Sequence, residues 1–104
     1  MRQVINGKLY DTTTAEQIHR WDNGHFSTDF KFRAKTLYRT QKGNLFLHHE
    51  GGAMTDMSQP TGSNSYSGGE SIEPIDEQTA VRFLESHDGT DVMLEHFPDY
   101  VEDA

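Results

Sequence analysis

FKFRAKTLYRTQKGNLFLHHE (Phe30–Glu50) reads as two strands joined by a tight turn. From Phe30 to Thr40, apolar and basic residues alternate with a period of two, the repeat of a strand whose side chains leave opposite faces. Phe30, Phe32, Ala34 and Tyr38 then share one face, and Lys31, Arg33, Lys35 and Arg39 share the other. Lys42-Gly43 supplies the turn and Asn44–His48 the returning strand. A two-residue loop sets Thr40 opposite Leu45 and Tyr38 opposite Leu47 on the inner face. Arg39 then stands opposite Phe46, and Leu37 opposite His48, on the outer face. This hairpin is the frame on which the rest of the chain is placed.

Upstream, Gln3–Asp11 alternates around Asn6-Gly7, a dipeptide suited to a two-residue hairpin turn because both positions tolerate positive φ. Thr13-Thr14-Ala15-Glu16 has the pattern of a capping box, which predicts a helix running to about Asp22 with Ala15, Ile18 and Trp21 facing inward. Asn23-Gly24 ends it. Downstream, Gly51–Ser71 holds five glycines, a proline and many serines, and reads as one long loop. Its glycine pairs, Gly51-Gly52 and Gly68-Gly69, act as hinges. Met54, Met57 and Tyr66 give the loop apolar groups with which to lie against the body of the domain. Asp76 then caps a helix whose inner face carries Ala80, Phe83, Leu84 and His87 and which ends near Asp88-Gly89. A short helical turn over Val92–Phe97 stops at Pro98.

With 104 residues the chain suits one domain over 1–104. The expected fold is α/β in the α+β sense: a small antiparallel sheet of three to four strands packed by two helices, with the long loop at 51–71 and a frayed acidic tail at 99–104. The absence of cysteine removes disulfides, thiolate nucleophiles and Cys-based zinc sites. No run of about 20 apolar residues is present to span a bilayer, and no hydrophobic segment follows Met1 as a signal peptide would. A cytoplasmic location and no membrane partner are expected.

The net charge of −8 is unevenly distributed. Residues 1–47 carry eight basic and four acidic residues, for +4, whereas residues 48–104 carry one basic and thirteen acidic residues, for −12. Either the two halves neutralise each other within the fold, or the acidic half faces a partner. Asp88, Asp91, Glu95, Asp99 and Glu102 follow steps of three and four. A continuous helix would align them about 6 Å apart, comparable with the charge spacing of a nucleic-acid backbone. Gly89 and Pro98 interrupt such a helix.

LFLHHEGGAM (Leu45–Met54) raises the question of a metal site. Adjacent strand residues point to opposite faces, so His48 and His49 do not readily hold one ion, and zinc needs about four ligands. His87 or His96 would join only if the C-terminal helix folded over this strand. The expectation is a strand end followed by a hinge, with His48 outward, His49 inward, and neither metal nor cofactor. No GxSxG elbow and no phosphate-loop pattern is present, so no catalytic residue is assigned. The basic strand face, with Phe46 to stack a base, suggests nucleic acid, but a molecule of charge −8 is repelled by phosphate.

INGKLYDTTTAEQI, TLYRTQKGNLFL, EGGAM and SGGESIEPIDEQTA, which together span most of residues 4–84, resemble stretches in a family of small, largely uncharacterised proteins of bacteria, phages and mobile elements. Some of its members are associated with anti-CRISPR activity. The resemblance implies a small α/β domain in a phage or mobile-element setting and supplies no catalytic residues. The function expected is therefore a non-enzymatic inhibitor or accessory protein that binds a host protein complex, such as a CRISPR effector, without contacting nucleic acid directly. The first contact surface is Asp91, Glu95, Asp99 and Glu102. Lys31, Arg33 and Lys35 on the strand, and Met54, Met57 and Tyr66 in the loop, are the competing surfaces. The alternatives are a metal-binding domain or metal-dependent enzyme around His48–Glu50 and a homo-oligomeric structural module, with a homodimer left open.

Overall fold

The computed structural model describes residues 1–62 and 65–104. Strands β1 (Arg2–Ile5) and β2 (Lys8–Asp11) form a hairpin closed by Asn6 and Gly7, whose φ values of 52° and 77° are those such a turn requires. Strands β3 (Glu16–Asp22), β4 (Arg33–Arg39), β5 (Leu45–Gly51) and β8 (Gly69–Ile75) make a four-stranded antiparallel sheet in that spatial order. A second small hairpin, β6 (Gln59–Gly62) with β7 (Ser65–Ser67), lies between β5 and β8 in the chain. Two helices follow, α1 (Glu77–Ser86) and α2 (Thr90–His96), and then a 3-10 turn at Pro98–Tyr100. The architecture is α+β, as expected, with a main sheet of four strands and two helices among the described residues. No helix among the described residues is long and apolar enough to cross a membrane.

The first of the expected helices is instead strand β3. Asp11 Oδ1 accepts from the Thr13 amide at 2.9 Å and from the Thr13 hydroxyl at 2.7 Å, so the threonines complete a turn rather than a capping box. Strand β3 then pairs with β4, and its register shifts between Gln17 and His19, which leaves Ile18 as the extra residue of a bulge. In a regular strand Ile18 and Trp21 would leave opposite faces. The bulge brings both to the helix-covered face, reproducing the three-residue spacing that reads as a helix.

The central hairpin forms, with its register displaced by one residue. Gln41 joins Lys42 and Gly43 in a three-residue loop closed by Gly43 at φ 89°, and the Thr40 N–H donates to Asn44 O at 2.8 Å. Leu37 therefore pairs with Leu47 and Tyr38 with Phe46. A slip of one residue exchanges the faces of one strand relative to the other. Leu37, Leu45 and Leu47 thus share a face and pack against Ala80, Val81, Phe83, Leu84, Met93 and Phe97 of the helical layer. The opposite face carries Tyr38, Phe46 and Ile72 and is covered by Tyr10 from the first hairpin. Tyr10 meets the Phe46 ring edge-on at 5.5 Å and Tyr38 stacks on it at 5.1 Å.

Both faces are therefore buried, and the side assigned to solvent is the main core face. Arg33, Lys35 and Arg39 lie on it half-buried, with the Arg39 guanidinium 5.5 Å over the Phe97 ring. The chain before Arg33 is turn rather than strand, so Phe32 is buried but Phe30 is 66% exposed. The C-terminal elements follow expectation more closely. Asp76 caps α1 by accepting from the Thr79 amide at 2.8 Å, and Asp88 turns the chain with φ 60° between the two helices.

About half of the segment expected as one long loop is paired, through β6, β7 and the first residues of β8. Gly52 is no free hinge. Its N–H donates to Phe32 O at 2.8 Å, and a Cβ there would lie 2.5 Å from the carbonyl oxygens of Asp29 and Phe30. Glycine is needed because two backbone segments touch.

Candidate protein-docking surface

The polar residues of β5 divide between the two faces of the sheet. On the face shared with Phe46, His48 is buried, the reverse of the outward position expected. Its Nδ1 lies 3.6 Å from Glu50 Oε1 and its Nε2 lies 3.6 Å from Glu70 Oε2. Arg20 donates to Glu50 Oε1 at 3.0 Å, so Glu50 has a cationic partner on β3. His49 is half-buried on the helical side. Arg33 donates to His49 Nδ1 at 3.0 Å, which makes that nitrogen an acceptor and leaves Nε2–H to donate to Glu73 Oε1 at 2.9 Å. The two histidines thus serve opposite faces. The two carboxylates around His48 approach opposite nitrogens of one ring, and among the described residues no group of three or more possible ligands is gathered.

Arg33, one of the expected contact residues, is occupied internally. Besides His49 it donates to Asp56 Oδ1 at 2.8 Å and to Ala34 O at 2.9 Å. Its guanidinium holds the Asp56 carboxyl below the ordinary carboxylate range. The arginine fastens the segment after β5 to the sheet, with Met57 half-buried against Gly51. Lys31 is exposed, ahead of β4, and Lys35 is half-buried opposite His49. Met54 is exposed, and its amide donates to Phe30 O at 2.7 Å, which sets Met54 near the exposed Phe30. Tyr66 contributes backbone to β7, and its side chain lies outside the described residues.

The acidic residues do not form one stripe. Asp88, in left-handed backbone, breaks the helix at its start, and Phe97 with Pro98 breaks it at its end. Asp91 and Glu95 remain one turn apart on α2, Asp99 lies in the 3-10 turn and Glu102 in the segment after it, all exposed. Tyr100 ties the 3-10 turn back to the start of α1, its O–H donating to Glu77 Oε2 at 3.0 Å. That bond holds the Tyr100 phenol above its ordinary value.

This return of the chain builds a groove of about 430 Å³ with Met93 at its floor and Leu94, Tyr100 and Val101 among its walls. Glu85 and Glu102 also line it. The apolar walls were not assigned to a site from the sequence. Their signal was present in α2, where Leu94 follows Met93 directly and so cannot share its inward direction.

No family model matches the chain, and no curated protein and no solved structure shows significant similarity to it.

Proposed function

We propose that the protein is a non-enzymatic inhibitor or accessory protein of phage or mobile-element origin, working in the host cytoplasm by binding a host defence protein. The partner class favoured is a nucleic-acid-handling complex such as a CRISPR effector, engaged through the acidic C-terminal half. The observation that carries this reading is the charge of the C-terminal layer. From Glu85 to Asp103 there are seven carboxylates and neither lysine nor arginine, and Asp91, Glu95, Asp99 and Glu102 all project to solvent. A surface of one sign attracts a surface of the other over about 10 Å at 0.1 M salt, and proteins that handle nucleic acid present basic channels. The phage or mobile-element setting is itself part of the proposal, suggested by the sequence of residues 4–84. The basic residues of β4 are the weaker docking candidates, because Arg33 is bonded within the fold and Lys35 is half-buried.

The test is a panel of bacterial strains, each carrying one defined defence system and challenged with a phage that the system restricts. Expression of the chain should restore plaque formation in a strain with a CRISPR effector, and Asp91→Lys/Glu95→Lys/Asp99→Lys should abolish that effect while keeping the parent's melting temperature. Unchanged plaque counts across the whole panel would overturn the proposal.

A further inference from the structure

The groove beside α2 combines two properties. Leu94, Tyr100 and Val101 are 54%, 45% and 38% exposed, three large side chains left in water around one concavity. Concave apolar sites of a few hundred Å³ are the usual seats of anchoring side chains. Around these three, every formally charged side chain of the C-terminal segment is a carboxylate, with Glu85 and Glu102 lining the groove itself. A second copy docking through this same face would bring the same carboxylates against them, and a nucleic acid or anionic membrane would be repelled.

We propose that this groove receives an apolar anchor side chain from a basic amphipathic segment of the partner, with flanking lysines or arginines set against Glu85, Glu102 and the neighbouring carboxylates. The inference rests on the acidic half being the docking face, and adds the place and chemistry of its specific contact. Long-range charge brings the partner in, and insertion of the anchor between Leu94, Tyr100 and Val101 slows its departure. Loss of the groove should therefore raise the dissociation rate and leave the association rate nearly unchanged, the opposite of what loss of the exposed carboxylates does.

The full chain is titrated with two synthetic peptides of equal length and charge, an amphipathic Lys/Leu helix and a Lys/Ser counterpart, by fluorescence anisotropy and by NMR with labelled methyl groups. The Lys/Leu peptide should bind about tenfold or more tightly, should shift the methyl signals of Met93, Leu94 and Val101, and should fall to the Lys/Ser affinity against Leu94→Ser/Val101→Ser. Equal affinity of the two peptides for the parent chain would overturn the groove and leave the acidic docking face standing. Binding of neither peptide at low salt would overturn the acidic face as well. Signals shifting instead at Met54, beside the exposed Phe30, would place the apolar contact elsewhere and overturn the assignment.

Discussion

Glu50 and Glu70 stand directly opposite each other across β5 and β8, with the His48 ring between them, 3.6 Å from each carboxylate. Like charges at directly opposed strand positions oppose pairing by about 0.2–1 kcal/mol. Glu50 is compensated by Arg20 at 3.0 Å, whereas the cationic candidate facing Glu70 is His48. Glu70→Gln should therefore raise the melting temperature at pH 8 by a few degrees, following the usual scaling of about 4–8 °C per kcal/mol for a domain of this size. Glu50→Gln loses the Arg20 bridge and should give no such gain. A lower melting temperature for Glu70→Gln would show that its charge stabilises the sheet.

Hydrogen bonds set the acid limb of the stability curve. Asp76 and Asp11 are held below the ordinary carboxylate value of 3.8 by bonds from Thr79 and Thr13, and Asp56 by Arg33. A carboxyl whose pKa is depressed by folding contributes stability that is complete above its unfolded value and is lost as pH falls through the folded one. Thermal stability should thus hold from neutrality to about pH 4 and then decline. Asp76→Asn keeps a capping side chain, so its melting temperature at pH 7 should change little while its decline in acid becomes shallower. Superimposable acid limbs for parent and variant would contradict the assignment.

The exchange of strand faces is open to a direct comparison. Phe46 is fully buried between Tyr10 and Tyr38, and Phe30 is largely exposed ahead of β4. Phe46→Ala should cost about 3–5 kcal/mol in urea denaturation, as is usual for a buried phenylalanine, while Phe30→Ala should be almost neutral. Comparable losses would return Phe30 to the core and the hairpin to the two-residue register.

At Gly52 a methyl group would meet two carbonyl oxygens of the β3–β4 connection. Gly52→Ala should destabilise by about 1–3 kcal/mol, the range of overpacking, read as a lower urea midpoint with an unchanged slope. An unaltered midpoint would mean that the segment hinges freely at this position.

Signals confined to neighbouring residues were legible in the sequence. Asn6-Gly7 makes its turn, Asp76 caps α1, and Pro98 stops α2, because each acts through its own backbone or the next turn. What failed depended on pairing between distant segments. The bulge at Ile18 exists only through the register of β3 with β4 and gives a strand a helix-like spacing. The burial of His48 depends on Gln41 joining Lys42-Gly43 in a turn one residue longer, which changes what faces each side chain of β5. The acidic residues were visible as a composition. The groove among them needed Tyr100 to reach back to Glu77, a contact between the start of α1 and the tail.

The proposal that the acidic C-terminal layer is the docking surface is tested most directly by association kinetics with the purified effector of whichever strain in the panel regains plaque formation, followed by interferometry from 0.05 to 0.5 M salt. The association rate of the parent should fall as salt rises. Asp91→Lys/Glu95→Lys/Asp99→Lys should associate more slowly at low salt and lose most of that salt dependence, with its fold intact, while Lys31→Glu/Lys35→Glu should behave as the parent. Unchanged association by the acidic variant, together with failure of the basic one, would contradict the account and move the contact to the strand side of the molecule.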